Sequence, residues 1–168
     1  MTETGSKATG ILDYIMGMLF PYNGSIQSIN IITAWTADSI GSRGRGQIFQ
    51  DLLIEKSGEV LFEEYDSAGY VYRKWQMEIS GFRISRILNA SERFASRSKT
   101  RRNGNSNCWE FHIEQEDGIE KTLGGSLLTS SQKQNEISRV VRACVPIDDL
   151  KLVDGGPSMA EPEDEYYD

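Results

Sequence analysis

The chain has 168 residues, a formal charge of −7, and 38% hydrophobic and 26% charged side chains. A length near that of one ordinary domain predicts a single core burying roughly 70% of the surface exposed by the unfolded chain. Three Trp, seven Tyr and six Phe supply enough bulky apolar surface to exclude a wholly disordered polypeptide.

The opening residues have the apolar look of an export signal. Asp13 interrupts the run, Lys7 is the only early base and no small-residue cleavage site follows, so they read as mature protein. Ile11, Ile15, Met18 and Leu19 recur at helical spacing, with Thr9 as a cap and Pro21 and Asn23-Gly24 as a stop. This pattern predicts an amphipathic helix near residues 9 to 20. Residues 28 to 35, with Ile29, Ile31, Ile32 and Trp35, predict a first strand.

After the glycine-rich segment 41 to 46, alternation in residues 47 to 55 places Ile48, Leu52 and Ile54 on one side. A turn at Lys56-Ser57-Gly58 and another at residues 66 to 69 separate strands over 59 to 65 and 70 to 79. Val71, Trp75, Met77 and Ile79 share one side of the latter. Phe49, Leu53, Leu61 and Tyr65 alternate onto the opposite side of the sheet, which is therefore expected to be partly covered or sticky.

Ser80 caps a predicted helix with Ile84, Ile87, Leu88 and Phe94 inward and Arg83, Arg86 and Arg93 toward water. Residues 95 to 107 read as an exposed loop. A hairpin follows over 108 to 115 and 119 to 123, turning at Glu116-Asp117-Gly118. Ser130 or Ser131 caps a last helix carrying Ile137, Val140, Val141 and Cys144, which ends before Pro146. Residues 146 to 153 suit a short edge segment.

This order predicts an α+β fold: a twisted antiparallel sheet of about six strands, a meander plus a hairpin, with two to three helices packed on it. Residues 1 to 153 form the domain and residues 154 to 168 an acidic disordered tail. No run of eighteen apolar residues occurs, so no membrane helix is expected. Cys108 and Cys144 are too few for a disulfide framework or an ordinary zinc site, and are expected as free thiols in a reducing cytoplasm.

Charge is unevenly distributed. Arg83, Arg86, Arg93, Arg97, Lys99, Arg101 and Arg102 oppose Glu92 alone, a net +6, so the remainder of the chain carries −13. The tail adds Asp154, Glu161, Glu163, Asp164, Glu165 and Asp168 without a base. Segregated charge speaks to partners rather than to fold.

Few residues suggest catalysis. His112, the sole histidine, shares a strand side with Glu110 and Glu114. Residues two apart are separated by roughly 6.6 Å along a strand, too far for all three to converge on one ion, so no metal or cofactor is expected. No nucleophile motif surrounds any serine or cysteine. Gly41, Gly44 and Gly46 lack the Lys-Ser/Thr and helix that a phosphate-cradling loop requires. The pattern points to a non-catalytic adaptor or inhibitor for a basic protein, contacted through Glu161, Glu163, Asp164, Glu165, Tyr166 and Tyr167. The first alternative is nucleic-acid binding through Arg43, Arg45, Arg97, Lys99, Arg101 and Arg102, and the second is an enzyme without a recognisable motif. The net acidity and the lack of aromatics within that cluster oppose the first.

Overall fold

A computed structural model describes residues 11, 12, 15, 21–36, 46–97, 107–127 and 132–154. Its strands are β1 (Ile26–Thr36), β2 (Gln47–Glu55), β3 (Glu59–Asp66), β4 (Val71–Glu78), β5 (Cys108–Gln115) and β6 (Glu120–Ser126). Two helices complete the described elements, α1 (Gly81–Arg97) and α2 (Gln132–Cys144). The strands form one six-stranded sheet in the order β4-β3-β2-β1-β5-β6, with every neighbouring pair antiparallel. The expected meander is β1 to β4. The hairpin of β5 and β6 adds to its other side, against β1.

Alternation builds the core on one face. Ile29 and Ile31 of β1, Leu52 and Ile54 of β2, Val60 and Phe62 of β3, Phe111 and Ile113 of β5 and Leu123 of β6 are all essentially inaccessible. Ile26 joins them because the register shifts between Ile26 and Ser28, an irregularity that turns two residues an odd number apart toward the same side. Over this face lie Ile84, Ile87, Leu88 and Phe94 of α1 and Ile137 and Val141 of α2. Phe94 packs against both Trp109 and Phe111, with ring centroids at 5.7 and 5.2 Å. Each large side chain so buried contributes roughly 1.5–3 kcal/mol.

Ser80 caps α1 as expected: its hydroxyl accepts from the Arg83 N–H at 3.3 Å, and its carbonyl accepts from the Ile84 N–H at 3.0 Å. Gly58, at φ 102, makes the β2–β3 turn and donates to the Glu55 carbonyl.

Several expectations are corrected. Residues 146 to 153 add no edge strand. Leu150, Leu152 and Val153 are buried in the core, and the segment crosses the covered face. Gln50, buried on that face, holds it by accepting from the Lys151 N–H at 2.8 Å and donating to the Asp149 carbonyl at 3.0 Å. Arg73 donates to the Asp148 carbonyl and forms an ion pair with Glu64 beside it. Backbone groups satisfied by side chains are unavailable to a ladder, which explains the missing strand. Trp75 faces the apolar side but remains 53% exposed, because β4 is the edge strand. Val71 does not share that side, because a register shift after Glu64 sets it opposite Tyr65 on the other face, 45% exposed. Strand β6 begins at Glu120 and runs to Ser126, leaving Ile119 exposed in the turn. Of the expected N-terminal helix, Ile11, Leu12 and Ile15 are helical and exposed; Met18 and Leu19 lie outside the described residues.

Tyr22 ties the entry of β1 to α1. Its hydroxyl donates to Glu92 Oε1 at 2.5 Å and accepts from the Ile26 N–H at 2.9 Å, while its own N–H donates to Ser85 Oγ. A Cβ on Gly24 would lie 2.1 Å from Glu92 Oε1 and 2.3 Å from the Tyr22 hydroxyl. Burial, reinforced by the hydrogen bond to Glu92, pushes the Tyr22 phenol well above its usual range. The unfolded chain therefore loses this proton first. The phenol's contribution to stability is complete below about pH 10, where an unperturbed tyrosine titrates, and falls as pH rises beyond it. Tyr22→Phe should cost about 1–3 kcal/mol at neutral pH by stranding the buried N–H, and Gly24→Ala a similar amount through overpacking. Urea denaturation across pH 8 to 11 checks this: the alkaline loss should be smaller in Tyr22→Phe, and equal losses would contradict the assignment.

Candidate functional site

The opposite face of the sheet takes the other half of each alternation. Ile32, Phe49, Leu53, Leu61 and Tyr65 all lie outside the core cluster and are half-buried, as their spacing predicts for a sticky second face. Neither α1 nor α2 packs on this side. Phe49 and Tyr65, directly paired across β2 and β3, stack with centroids at 5.2 Å.

Register arranges the polar residues between them into rows that run across the strands. One row is Glu78 opposite Glu59 on β4 and β3, Glu55 opposite Ser28 on β2 and β1, and Glu114 opposite Glu120 on β5 and β6. Four residues further along β2, a second row sets Lys74 opposite Glu63, Glu63 opposite Asp51, and Asp51 and Glu110 on either side of Ile32. Between them runs Gln76, Leu61, Leu53, Asn30, His112 and Thr122. The acidic rows are about 13 Å apart, two intervals of roughly 6.6 Å along each strand.

Like charges thus stand directly opposite one another at Asp51 and Glu63, Glu59 and Glu78, and Glu114 and Glu120. Each such pairing disfavours the sheet by a few tenths of a kcal/mol or more. Neutralisation within the molecule is sparse. Among the described residues, Glu63 pairs with Lys74 at 2.7 Å and Glu110 with His112 at 2.9 Å. Asp51 accepts from Asn30, Glu59 from Gln76 and Glu114 from Ser28, all uncharged donors.

The middle row is the floor of a depression. One part, of about 310 Å³, is lined by Asn30, Ile32, Leu53, His112, Glu114 and Glu120 among others. A second, of about 410 Å³, shares Asn30 and Leu53 and continues over Leu61 to Lys74 and Gln76. Together they make one trough spanning the sheet.

The exposed arginines lie on the other side, among the acids Glu92, Glu136, Asp148 and Asp149. Arg86 is exposed on α1 over the Phe82 ring, Arg93 is exposed and pairs with Glu136 at 3.1 Å, Arg83 reaches the Cys144 carbonyl, and Arg139 is exposed on α2. The expectation that Arg83 and Arg93 only face water is corrected to this extent. Arg142 forms a bidentate pair with Asp154, fixing the end of the described chain.

Arg97 is the last residue of α1, and its side chain lies outside the described residues. So do Arg43, Arg45, Lys99, Arg101 and Arg102 and the tail residues Glu161, Glu163, Asp164, Glu165, Tyr166 and Tyr167. The acidic face was missed by reading charge along the chain. Its signal is an acid pair at i and i+4 within a strand, as in Asp51 and Glu55, Glu59 and Glu63, and Glu110 and Glu114.

Among the described residues no cluster of His, Cys, Asp and Glu gathers to hold a metal, and no helix is long and apolar enough to cross a membrane. His112, between Glu110 and Thr122, takes part in the polar surface through both ring nitrogens. No family model matches the chain, and a search of curated proteins finds no match.

Cys108 and Cys144 are both free. Cys144 is buried in the core, whereas Cys108 stands on the open face two residues from Glu110. Partial burial and then the Glu110 charge push the Cys108 thiol up, lowering its thiolate fraction at neutral pH. Iodoacetamide labelling followed by peptide mapping should show Cys108 alkylated more slowly than a free cysteine, and faster in Glu110→Gln. An unchanged rate in that variant would contradict the electrostatic contribution.

Proposed function

We propose that this protein is a non-catalytic binding module, an adaptor or inhibitor, that presents acidic surface to a basic protein partner. The observation carrying this reading is the pair of carboxylate rows on the open sheet face. A fold gains nothing from placing acids opposite acids, whereas a recognition surface gains electrostatic steering and discrimination against acidic competitors. The tail acids from Glu161 to Glu165, with Tyr166 and Tyr167, extend the same charge and serve as an accessory contact in this reading. Operation in the cytoplasm, with Cys108 and Cys144 reduced, belongs to the same proposal.

A second reading, nucleic-acid binding from the opposite side, draws support from exposed Arg86, Arg93 and Arg139. In it, Arg43, Arg45, Arg97, Lys99, Arg101 and Arg102 add phosphate contacts.

One co-purification experiment separates the two. Tagged full chain, a form lacking residues 155 to 168, and the quadruple variant Asp51→Asn, Glu63→Gln, Glu110→Gln, Glu114→Gln are recovered from cells at low and high salt, with and without nuclease. The proposal expects a nuclease-resistant, salt-sensitive basic protein that the quadruple variant loses and the truncated form partly retains. Equal recovery by the quadruple variant would contradict it. Nuclease-sensitive recovery of nucleic acid would favour the second reading.

A further inference from the structure

The trough specifies the shape of what it binds, and this inference rests on the acidic-face reading above. Its floor is apolar at Leu53 and Leu61 and polar at Asn30 and His112, and it crosses all six strands rather than following one. The two carboxylate rows, about 13 Å apart, flank it, with Glu59, Glu114 and Glu120 of one row and Asp51 and Glu63 of the other lining it directly. An α-helix with side chains is about 10–12 Å across, so one helix fits between them. An added β-strand would seek the backbone of an edge, not the middle of a face. Five interstrand gaps of about 4.8 Å give a length near 24 Å, which is about sixteen helical residues.

We infer that the trough seats one amphipathic α-helix of the partner, laid across the strands, with an apolar stripe on Leu53 and Leu61 and lysines or arginines along both flanks. Charge complementarity selects this occupant. Glu55 and Glu114 wait on one bank, Asp51 and Glu110 on the other, and the cations within reach on the described part of this face are Lys74, already paired with Glu63, and His112 when protonated. The chain's own apolar stretch from Ile11 to Leu19 contains Asp13 and no base, so it lacks the charges the banks call for. A flanking cation on each side also relieves the repulsion between opposed acids, so the partner stabilises the sheet as it binds.

The test uses the full chain and three fluorescein-labelled synthetic peptides of eighteen residues. The first is a helix with a leucine stripe and lysines on both flanks, the second has lysines on one flank only, and the third has the first peptide's composition with two central prolines that forbid the helix. Fluorescence anisotropy should show the two-flank helix binding most tightly, with affinity falling as salt rises. The one-flank and proline peptides should each bind at least about tenfold more weakly. Asp51→Asn with Glu110→Gln, and separately Glu55→Gln with Glu114→Gln, should each weaken the two-flank helix by about fivefold or more. Arg86→Gln should leave it unchanged. These variants keep side-chain shape and remove repulsion, and thermal melts confirm that they fold. If the proline peptide binds as tightly as the helix, the helical occupant is overturned while the acidic face stands. If neutralising either bank has no effect, the acidic-face reading itself fails.

Discussion

One antiparallel sheet with both α1 and α2 packed on a single face is the constraint from which the remaining features follow. Burying Ile29, Leu52, Val60, Phe62 and Phe111 under α1, α2 and the segment through Val153 commits alternate residues of every strand to the other side. A one-residue slip would exchange the two sets and put carboxylates in the core. The hydrophobic face therefore enforces the register, and the register aligns the acids. The rows are a consequence of core packing acting on a sequence that repeats its acids every fourth residue.

The same geometry separates charge in space. Helix α1 buries its apolar stripe against the sheet, so Arg86 and Arg93 point away from it, on the side opposite Asp51, Glu63 and Glu110. Ion pairs such as Arg93 with Glu136 and Arg142 with Asp154, and the exposed Glu92, Asp148 and Asp149, offset part of the positive charge on the helical side. Exposed pairs of this kind are worth little to stability, on the order of 0–1 kcal/mol, so their arrangement matters more to what approaches the molecule than to holding it together. Stability resides in the core, in the Tyr22 link to Glu92 and in the Gln50 clasp on residues 149 and 151.

Much of this architecture is legible in the residues themselves. The period-two pattern of Ile48, Leu52 and Ile54, the turn at Gly58, and Ser80 ahead of Ile84, Ile87 and Leu88 locate β2, β3 and the start of α1 within a residue or two, whereas α1 runs on to Arg97, three residues into the expected loop, with Ala95 packed against the core. What alternation cannot supply is the identity of neighbours across strands. Trp75 has the same pattern as a core residue, and only its place on the edge strand leaves it exposed. The segment from Pro146 has strand-like composition, but its backbone partners are the side chains of Gln50 and Arg73, almost a hundred and some seventy-five positions away. The acidic rows were hidden for the same reason: Asp51, Glu63 and Glu110 are scattered along the chain and meet only through pairing. Summed charge drew attention instead to residues 97 to 102 and to the tail, where runs are contiguous.

Separated rows of acids and exposed arginines should give the two sides of the folded molecule opposite potentials. Amide-proton relaxation of the full chain in the presence of cationic and anionic nitroxide cosolutes measures this. The amides of Leu53, Leu61 and His112 should be relaxed more by the cationic probe, by at least about twofold given surface potentials of several kT, and those of Arg86 and Arg93 more by the anionic one. The same ratio on both sides would contradict it.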